Sequence, residues 1–429
     1  MRKKSALWRN YPPEEKEMEF KREKYLQQLI DGMESPLIKV ITGIRRSGKS
    51  YLLFTLFDRY LKETGFPEDH IIKIALDDME NIHLREKTAL YQHIKGRIVD
   101  NNKYYILLDE IQYVDGFEDV LNSLLHIKNA DTYVTGSNSK FLSSDIVTEF
   151  RGRSDEIRVY PLTFKEYYEE LGGDKRDRLD EYMRFGGLPI VALMKSDEKK
   201  ITYLKEVCNK IYLSDLKQRH RIKNPNEFDE LFDILASGIG TLTNAQKLSD
   251  TFKTVNHVMV SPNTVKNYID YFIDAFMISR ARRYDVKGKK YISTPAKYYF
   301  CDIGLRNARI DFRQIEPTHI MENIIFNELI ARGYQVDVGV VEINAHNKSG
   351  NGIKKQLEVD FVANKGYDRY YIQSAYSYYD EEKKKQEKAS LIHIPDSFER
   401  IIITGNTGLP YRDDDGYMIE NIIHFLLNE

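Results

Sequence analysis

Residues 43–50 read GIRRSGKS, with Gly43, Gly48, Lys49 and Ser50 in the fixed places of G-x-x-x-x-G-K-S. A β-branched apolar run, LIKVIT, precedes this segment, and SYLLFTLFDRYL, apolar at helical spacing, follows it. Strand, glycine turn and helix in that order let backbone N–H groups close around phosphate oxygens at a helix N-terminus. The competing reading is a plain glycine turn before a helix, and four fixed residues in this one setting weigh against it. The expected cradle is Gly43, Ile44, Arg45, Arg46, Ser47, Gly48, Lys49, Ser50 and Tyr51. Lys49 would reach the β and γ phosphates, and Ser50 would hold Mg²⁺. Arg45 and Arg46 either add positive charge near phosphate or pair with neighbouring acids.

Three more apolar runs, IIKIALD, YYILLDE and TYVTG, are separated by helical stretches such as EKTALYQHIKGRIV and FEDVLNSLLHI. The alternation predicts an α/β module with a parallel sheet covered on both faces and its ligands at the carboxyl ends of the strands. Asp109 and Glu110 close the run YYILLDE. Carboxylates at the end of an apolar strand lack solvation unless metal or water supplies it, which assigns Asp109 to Mg²⁺ and Glu110 to activating the attacking water. Asp77 and Asp78 end the second run likewise, and either border the site or lie in a solvated loop. Ser137 and Asn138 follow the fourth, where Asn138 either senses the γ-phosphate or caps a helix at SKFL. Arg151 and Arg153 either reach a neighbour's γ-phosphate or pair with Asp155 or Glu156.

At 429 residues the chain exceeds one ordinary core and implies several modules. Its net charge of −2 means that any nucleic-acid surface must be a local patch. Cys208 and Cys301 are the only cysteines, too few for a disulfide framework or a Cys-rich zinc site, so a reducing compartment is expected. With no apolar stretch of membrane-spanning length, the chain reads as cytoplasmic.

The segment GGDKRDRLDEYMRFGGLPIVALM reads as helix, glycine turn and helix, a small helical lid beside the phosphate site. EFDELFDILASGI, TNAQKLSDTF and SPNTVKNYIDYFIDA then supply three helical segments, the last with Ser261 as N-cap and Pro262 at the first helical position. Two strands around Gly288 follow, the order of a winged helix. Between Phe276 and Lys297 seven Lys or Arg face one acid, a footprint for phosphate contact. Asn263, Thr264, Lys266 and Asn267 would enter a DNA groove, with Arg282, Arg283, Lys289 and Lys290 on the wing; a packing or protein-contact role is the alternative.

KVITGIRRSGKSYLL, ILLDEIQ, VTGSNSKFL, FRGR, YPLTFKEY and FGGLP, in this order, resemble a family of bacterial and archaeal AAA-type P-loop ATPases whose C-terminal third is a restriction-endonuclease-like domain. The resemblance implies ATP hydrolysis by Lys49, Ser50, Asp109 and Glu110, with Arg151 or Arg153 as finger candidates. The C-terminal third resembles the PD-(D/E)XK nuclease fold, with Glu322 and Asp360 in its first two acidic places. Its third place reads Gln373-Ser374-Ala375, so a neutral amide replaces an acid and Ala375 replaces the lysine. This predicts a degenerate site, unless Lys365 or Lys354 substitutes. The expected fold is α/β: a P-loop ATPase module over residues 1–172, a helical lid over 173–223, a winged helix over 224–310 and a nuclease-like α/β domain over 311–429. The expected function is ATP turnover coupled to DNA binding or remodelling, branched DNA included, in a homo-oligomer. A nucleotide-dependent switch recruiting a protein partner, and an active Mg²⁺-dependent nuclease, are the alternatives.

Overall fold

The structure, a computed structural model, describes residues 18–33, 35–136, 152–256, 258–313, 315–346 and 352–428. Helix α1 (Glu23–Asp31) buries Tyr25 and Leu29. Strand β1 (Ile38–Thr42) runs into the glycine loop. Helix α2 follows as three consecutive pieces, Lys49–Tyr51, Leu52–Phe57 and Asp58–Glu63, the middle one wound as a π-helix. Then come β2 (Ile71–Ala75), α3 (Lys87–Arg97), β3 (Tyr104–Asp109), α4 (Phe117–Leu124), β4 (Ala130–Thr135) and β5 (Ser154–Arg158). The five strands form one parallel sheet in the order β2-β3-β4-β1-β5.

The period of two explains why the inner strands read as unbroken apolar runs. In β3, Tyr104, Ile106 and Leu108 pack with Leu90, Phe117 and Leu121 from α3 and α4, whereas Tyr105 and Leu107 pack with Tyr25, Leu52 and Leu56 from α1 and α2. Strand β5 carried no such signal, because this edge strand, SDEIR, buries only Ile157. Thr42, Asp109 and Thr135 end their strands at the same rim of the sheet.

Helices α5 (Phe164–Leu171), α6 (Lys175–Phe185), α7 (Pro189–Ala192) and α8 (Asp197–Glu206, extended through Val207–Leu213 and Ser214–Arg219) follow. Next are α9 (Pro225–Ser237), α10 (Ala245–Thr251) and α11 (Pro262–Asp274). The Ser261 hydroxyl accepts the Thr264 N–H at 3.1 Å, the cap read from sequence. A hairpin of β6 (Ile278–Asp285) and β7 (Lys290–Phe300) leads to α12 (Ile303–Arg309), α13 (Pro317–Ala331), β8 (Gln335–His346), β9 (Gly352–Lys365), β10 (Asp368–Ala375), α14 (Glu381–Lys388), β11 (Glu399–Thr404), β12 (Tyr411–Arg412), β13 (Met418–Asn421) and α15 (Ile422–Leu427).

The hairpin expected as a projecting wing is part of the C-terminal sheet. That sheet has eight strands in the order β12-β13-β11-β10-β9-β8-β6-β7, and β6 pairs with β8 in parallel through Arg283↔Val338, Tyr284↔Gly339 and Asp285↔Val340. One sheet therefore crosses residue 310. A single apolar cluster joins Leu188, Phe232, Phe272, Tyr299, Ile325 and Phe425, so the middle helices and the C-terminal sheet share a core.

Candidate functional site

Gly43 leaves β1 at φ 136°, and a Cβ there would lie 2.1 Å from the carbonyl oxygen of Val159, so only glycine lets the loop turn against the end of β5. Gly48, at φ 93°, opens α2. Lys49 turns back over the loop, donating to the carbonyls of Gly43 and Ile44 at 3.0 Å each. Burial pushes its ammonium down to about 8, although the charges of Glu110 and Asp109 act the other way. A lysine held this way gains most from an anion placed beside it.

The acids face the loop from the end of β3, beside Thr135 at the end of β4. Asp109 is buried, and desolvation raises its carboxyl above the ordinary range while hydroxyl bonds from Thr135 and Ser50 pull it back. Glu110 follows in the left-handed conformation, φ 54°, its N–H donating to Thr135 Oγ1 at 2.9 Å. Gln112 Nε2 donates to the Glu110 carboxylate. Ser50 and Asp109 thus form a linked pair of hard oxygen donors, which fits Mg²⁺ sharing its shell with substrate phosphates and water. Among the described residues no three His, Cys, Asp or Glu side chains are grouped to hold a metal by themselves. Thr135 is a site residue that sequence reasoning missed; its place at a strand end beside the acids was the available signal.

A cleft of about 690 Å³ opens over these groups, with a polar lining that includes Arg45, Arg46, Lys49, Ser50, Asp77 and Glu110 and an apolar wall that includes Phe20, Pro189, Ile190 and Leu193. Its polar floor and apolar wall suit a phosphate chain attached to a flat base. Tyr51 also lines it and bonds Glu19, which Arg59 holds from the far side. Asp78 is turned away, capping the N–H of Glu80 at 3.0 Å.

The FGGLP turn holds the wall in place. Gly187 N–H donates to Asp302 Oδ2 at 2.8 Å, and Leu305 N–H donates to Oδ1 at 3.0 Å. A Cβ on Gly186 would lie 2.4 Å from that carboxylate, and one on Gly304 would lie 2.0 Å from the carbonyl oxygen of Phe185. Asn307 Nδ2 donates to the carbonyls of Met183 and Arg184. Burial pushes the Asp302 carboxyl up to about 6 against these backbone bonds. The turn beside the cleft is thereby clasped by the segment leaving β7.

Other expected residues fall elsewhere. Ser137, Asn138 and Arg151 lie outside the described residues. Arg153 precedes β5 at the amino-terminal rim, opposite the phosphate loop, because Ile38 pairs with Ser154; its guanidinium donates to Asn122 Oδ1 at 3.2 Å. It is therefore remote from its own chain's phosphate site, and the pairing weighed with Asp155 or Glu156 is replaced by Asn122. On α11, Asn263, Lys266 and Asn267 are exposed, whereas Thr264 is half-buried and bonded to Ser261. Lys289 and Lys290 are exposed on the hairpin turn. Arg282 stacks on Tyr291 and lies 4.0 Å from Asp337, and Arg283 donates to Gln356 at 2.7 Å.

The basic run also loses Lys297 to the interior. Its ammonium lies 2.8 Å from Glu322, 2.7 Å from Glu358 and 3.8 Å from Asp360, and Tyr299 OH donates to Glu322 at 2.6 Å. Burial alone would lower Lys297, but the three carboxylates hold it well above the ordinary lysine value. Glu322 and Asp360 do come together, around a cation that the sequence reading had placed on a surface. Gln373 does not join them as a donor to a shared centre: its Oε1 accepts the Asp360 N–H and its Nε2 donates to Glu387, both at 3.3 Å. Lys354 pairs with Glu342, and Lys365 donates to the Arg332 carbonyl, so neither replaces the missing lysine.

A family model described as an AAA domain matches residues 35–168, and one described as a domain of unknown function matches 176–316. An uncharacterized protein of Haemophilus influenzae is 34% identical over 412 residues, spanning 95% of this chain and 98% of its own length. The uncharacterized protein MJ1544 of Methanocaldococcus jannaschii is 29% identical over 368 residues, 82% of this chain and 77% of that one. Among solved structures, the Walker-type ATPase PABY2304 of Pyrococcus abyssi is similar with a TM-score of 0.48 and 16% identity, covering 68% of this chain and 96% of that chain. The phosphate loop and the acid pair lie inside the segment that matches the AAA-domain model, and the chain belongs to one family with the Haemophilus influenzae protein, aligned along nearly its whole length.

Proposed function

We propose that the chain binds ATP with Mg²⁺ and hydrolyses it, and that turnover changes how the α10–α11 and hairpin surface engages DNA. One observation carries the reading: Lys49 and Ser50 from the loop and Glu110 from the end of β3 converge on one cleft, with Asp109 bonded to Ser50 behind them. The loop amides and Lys49 bind and orient the phosphate chain, and Ser50, with Asp109 behind it, would hold a Mg²⁺ that would supply charge neutralisation at the phosphates. Glu110, fixed by Thr135 and Gln112, orients a water and accepts its proton. The apolar wall excludes solvent from the base. Exposed Asn263, Lys266, Asn267, Lys289 and Lys290 support contact with DNA phosphates. Steady-state ATPase assays with single-stranded, duplex and branched DNA, on the unaltered chain and on Glu110→Gln, test the reading. The variant should bind ATP and lose turnover, and equal rates with and without every DNA would refute the coupling.

A second reading, a nucleotide-dependent switch for a protein partner, is favoured by the engagement of Arg280, Arg282, Arg283 and Lys297 within the chain, which thins the basic surface. Slow turnover that ignores DNA but changes the state of assembly would select it. Phosphodiester cleavage is not part of the proposal, because Lys297 already neutralises the acids that a catalytic metal would need.

A further inference from the structure

The phosphate loop carries two arginines, and their surroundings differ from those of Glu19 and Glu110 in the same cleft. Glu19 is taken by Arg59 and Tyr51, and Glu110 by Gln112. Among the described residues neither Arg45 nor Arg46 makes an ion pair or a side-chain hydrogen bond. Arg45 lies near enough to Lys49 for its charge to oppose that ammonium's protonation. Like charges gathered in one pocket are costly until an anion arrives.

The backbone that presents them is fixed. Tyr212, from the lid helix α8, donates its hydroxyl to the Arg45 carbonyl at 2.5 Å, and Ser47 N–H donates to the Ile44 carbonyl at 3.3 Å. Arg46 is held left-handed at φ 66°, a conformation costing a non-glycine residue about 1 kcal/mol. Tyr203, on the same lid helix and within range of the Arg46 charge, has a buried hydroxyl without a hydrogen-bond partner among the described residues. Lid and loop together aim two uncommitted guanidinium groups at the cleft.

We infer that Arg45 and Arg46 act on the triphosphate bound by their own chain, supplying from within the loop the positive charge that offsets charge developing on the transferred phosphoryl group. The inference rests on the ATPase reading above. It makes each chain self-sufficient in arginine, so hydrolysis needs none from a neighbouring copy. The reaction stays ordinary hydrolysis: water's oxygen bonds to the γ-phosphorus, the bond to the β-bridging oxygen breaks, and the proton passes to Glu110.

The test compares the unaltered chain with Arg45→Ala/Arg46→Ala and Arg46→Lys, measuring binding of a fluorescent ATP analogue with Mg²⁺ and kcat by phosphate release. Half-buried Arg45 and exposed Arg46 make misfolding a minor concern, and matched Tm values check it. The double variant should lose about 100-fold or more in kcat, with affinity falling far less, and Arg46→Lys should recover only part, since an ammonium lacks the planar fork. Turnover per unaltered chain should not change on dilution. Mixing the double variant with Lys49→Ala chains, which keep both arginines but lack a working loop lysine, should restore nothing. Recovery in that mixture would overturn the inference by placing the arginines in trans, and so would a double variant with unchanged kcat. Failure of the unaltered chain to bind the analogue would overturn the ATPase reading itself, and this one with it.

Discussion

Replacing Asp302 tests whether the clasp between the FGGLP turn and the segment after β7 holds the nucleotide wall. In Asp302→Ala the N–H groups of Gly187 and Leu305 lose their acceptors in a buried setting, at about 1–3 kcal/mol each. The local cost is then roughly 2–6 kcal/mol, and neither Gly186 nor Gly304 has a side chain to fill the gap. Amide hydrogen exchange reads that cost where it arises, which suits a chain with several packed modules better than one global midpoint. Protection of the Gly187 and Leu305 amides should fall by about 30-fold or more. Pro189, Ile190 and Leu193 follow directly in the chain, so the variant should also bind ATP more weakly while its kcat at saturation changes little. Asp302→Asn adds a pH signature. The folded carboxyl lies near 6 against an ordinary 3.8, so the unaltered protein is favoured at low pH and loses that advantage as pH rises through about 6. The Asn variant has no such titration, and the stability gap between the two should shrink by about 3 kcal/mol from below pH 4 to above pH 7. A gap independent of pH, or unchanged protection in the Ala variant, would refute the reasoning.

Lys49, lowered to about 8 by burial, should take up a proton when phosphate arrives, so ATP affinity should fall as pH rises through that value; calorimetry near pH 8 in two buffers of different ionisation enthalpy should reveal the uptake, and buffer-independent heats would deny it. Thr135→Val removes a bond to Asp109 and one from Glu110 N–H, worth about 1.5–3 kcal/mol where a charged partner is involved, so kcat should drop about 10- to 100-fold with binding retained, and Thr135→Ser should keep most activity. Lys297→Met leaves Glu322 and Asp360 buried without their cation and should destabilise by about 3–5 kcal/mol in urea unfolding, partly restored by adding Glu322→Gln.

The parallel sheet, the phosphate loop and the acid pair were legible because each rests on a local pattern. LIKVIT and YYILLDE are buried on both faces, and Gly43 and Gly48 occupy backbone conformations that glycine alone takes easily. Strand β5 escaped because an edge strand with one buried residue has no periodicity to read. The joining of β6 to β8 escaped for another reason: a parallel pair set by contacts across more than fifty residues leaves no mark in either segment. Lys297 was counted with its basic neighbours because sequence gives a lysine's charge but not which face of β7 bears it. Asp302 caps Leu305 locally, but its second bond, to Gly187, depends on a turn 115 residues away that no local pattern reveals.

Two buried lysines distinguish the phosphate loop from the acid cluster of the C-terminal sheet. Both Lys49 and Lys297 are removed from water, and burial alone would lower each. Lys297 is surrounded by more negative charge than it carries, is held firmly protonated, and ties β7 to the strands beyond. Lys49 has only two carbonyls at bonding distance, with acids near enough to act on it but not to pair, and an arginine beside it of its own sign. A charge already neutralised by its own protein has little to gain from a ligand. A charge left under-neutralised in a formed cleft gains the full interaction when a polyphosphate enters, and that deficit, more than the presence of either lysine, is what makes the loop at residues 43–50 the candidate site for the proposed hydrolysis.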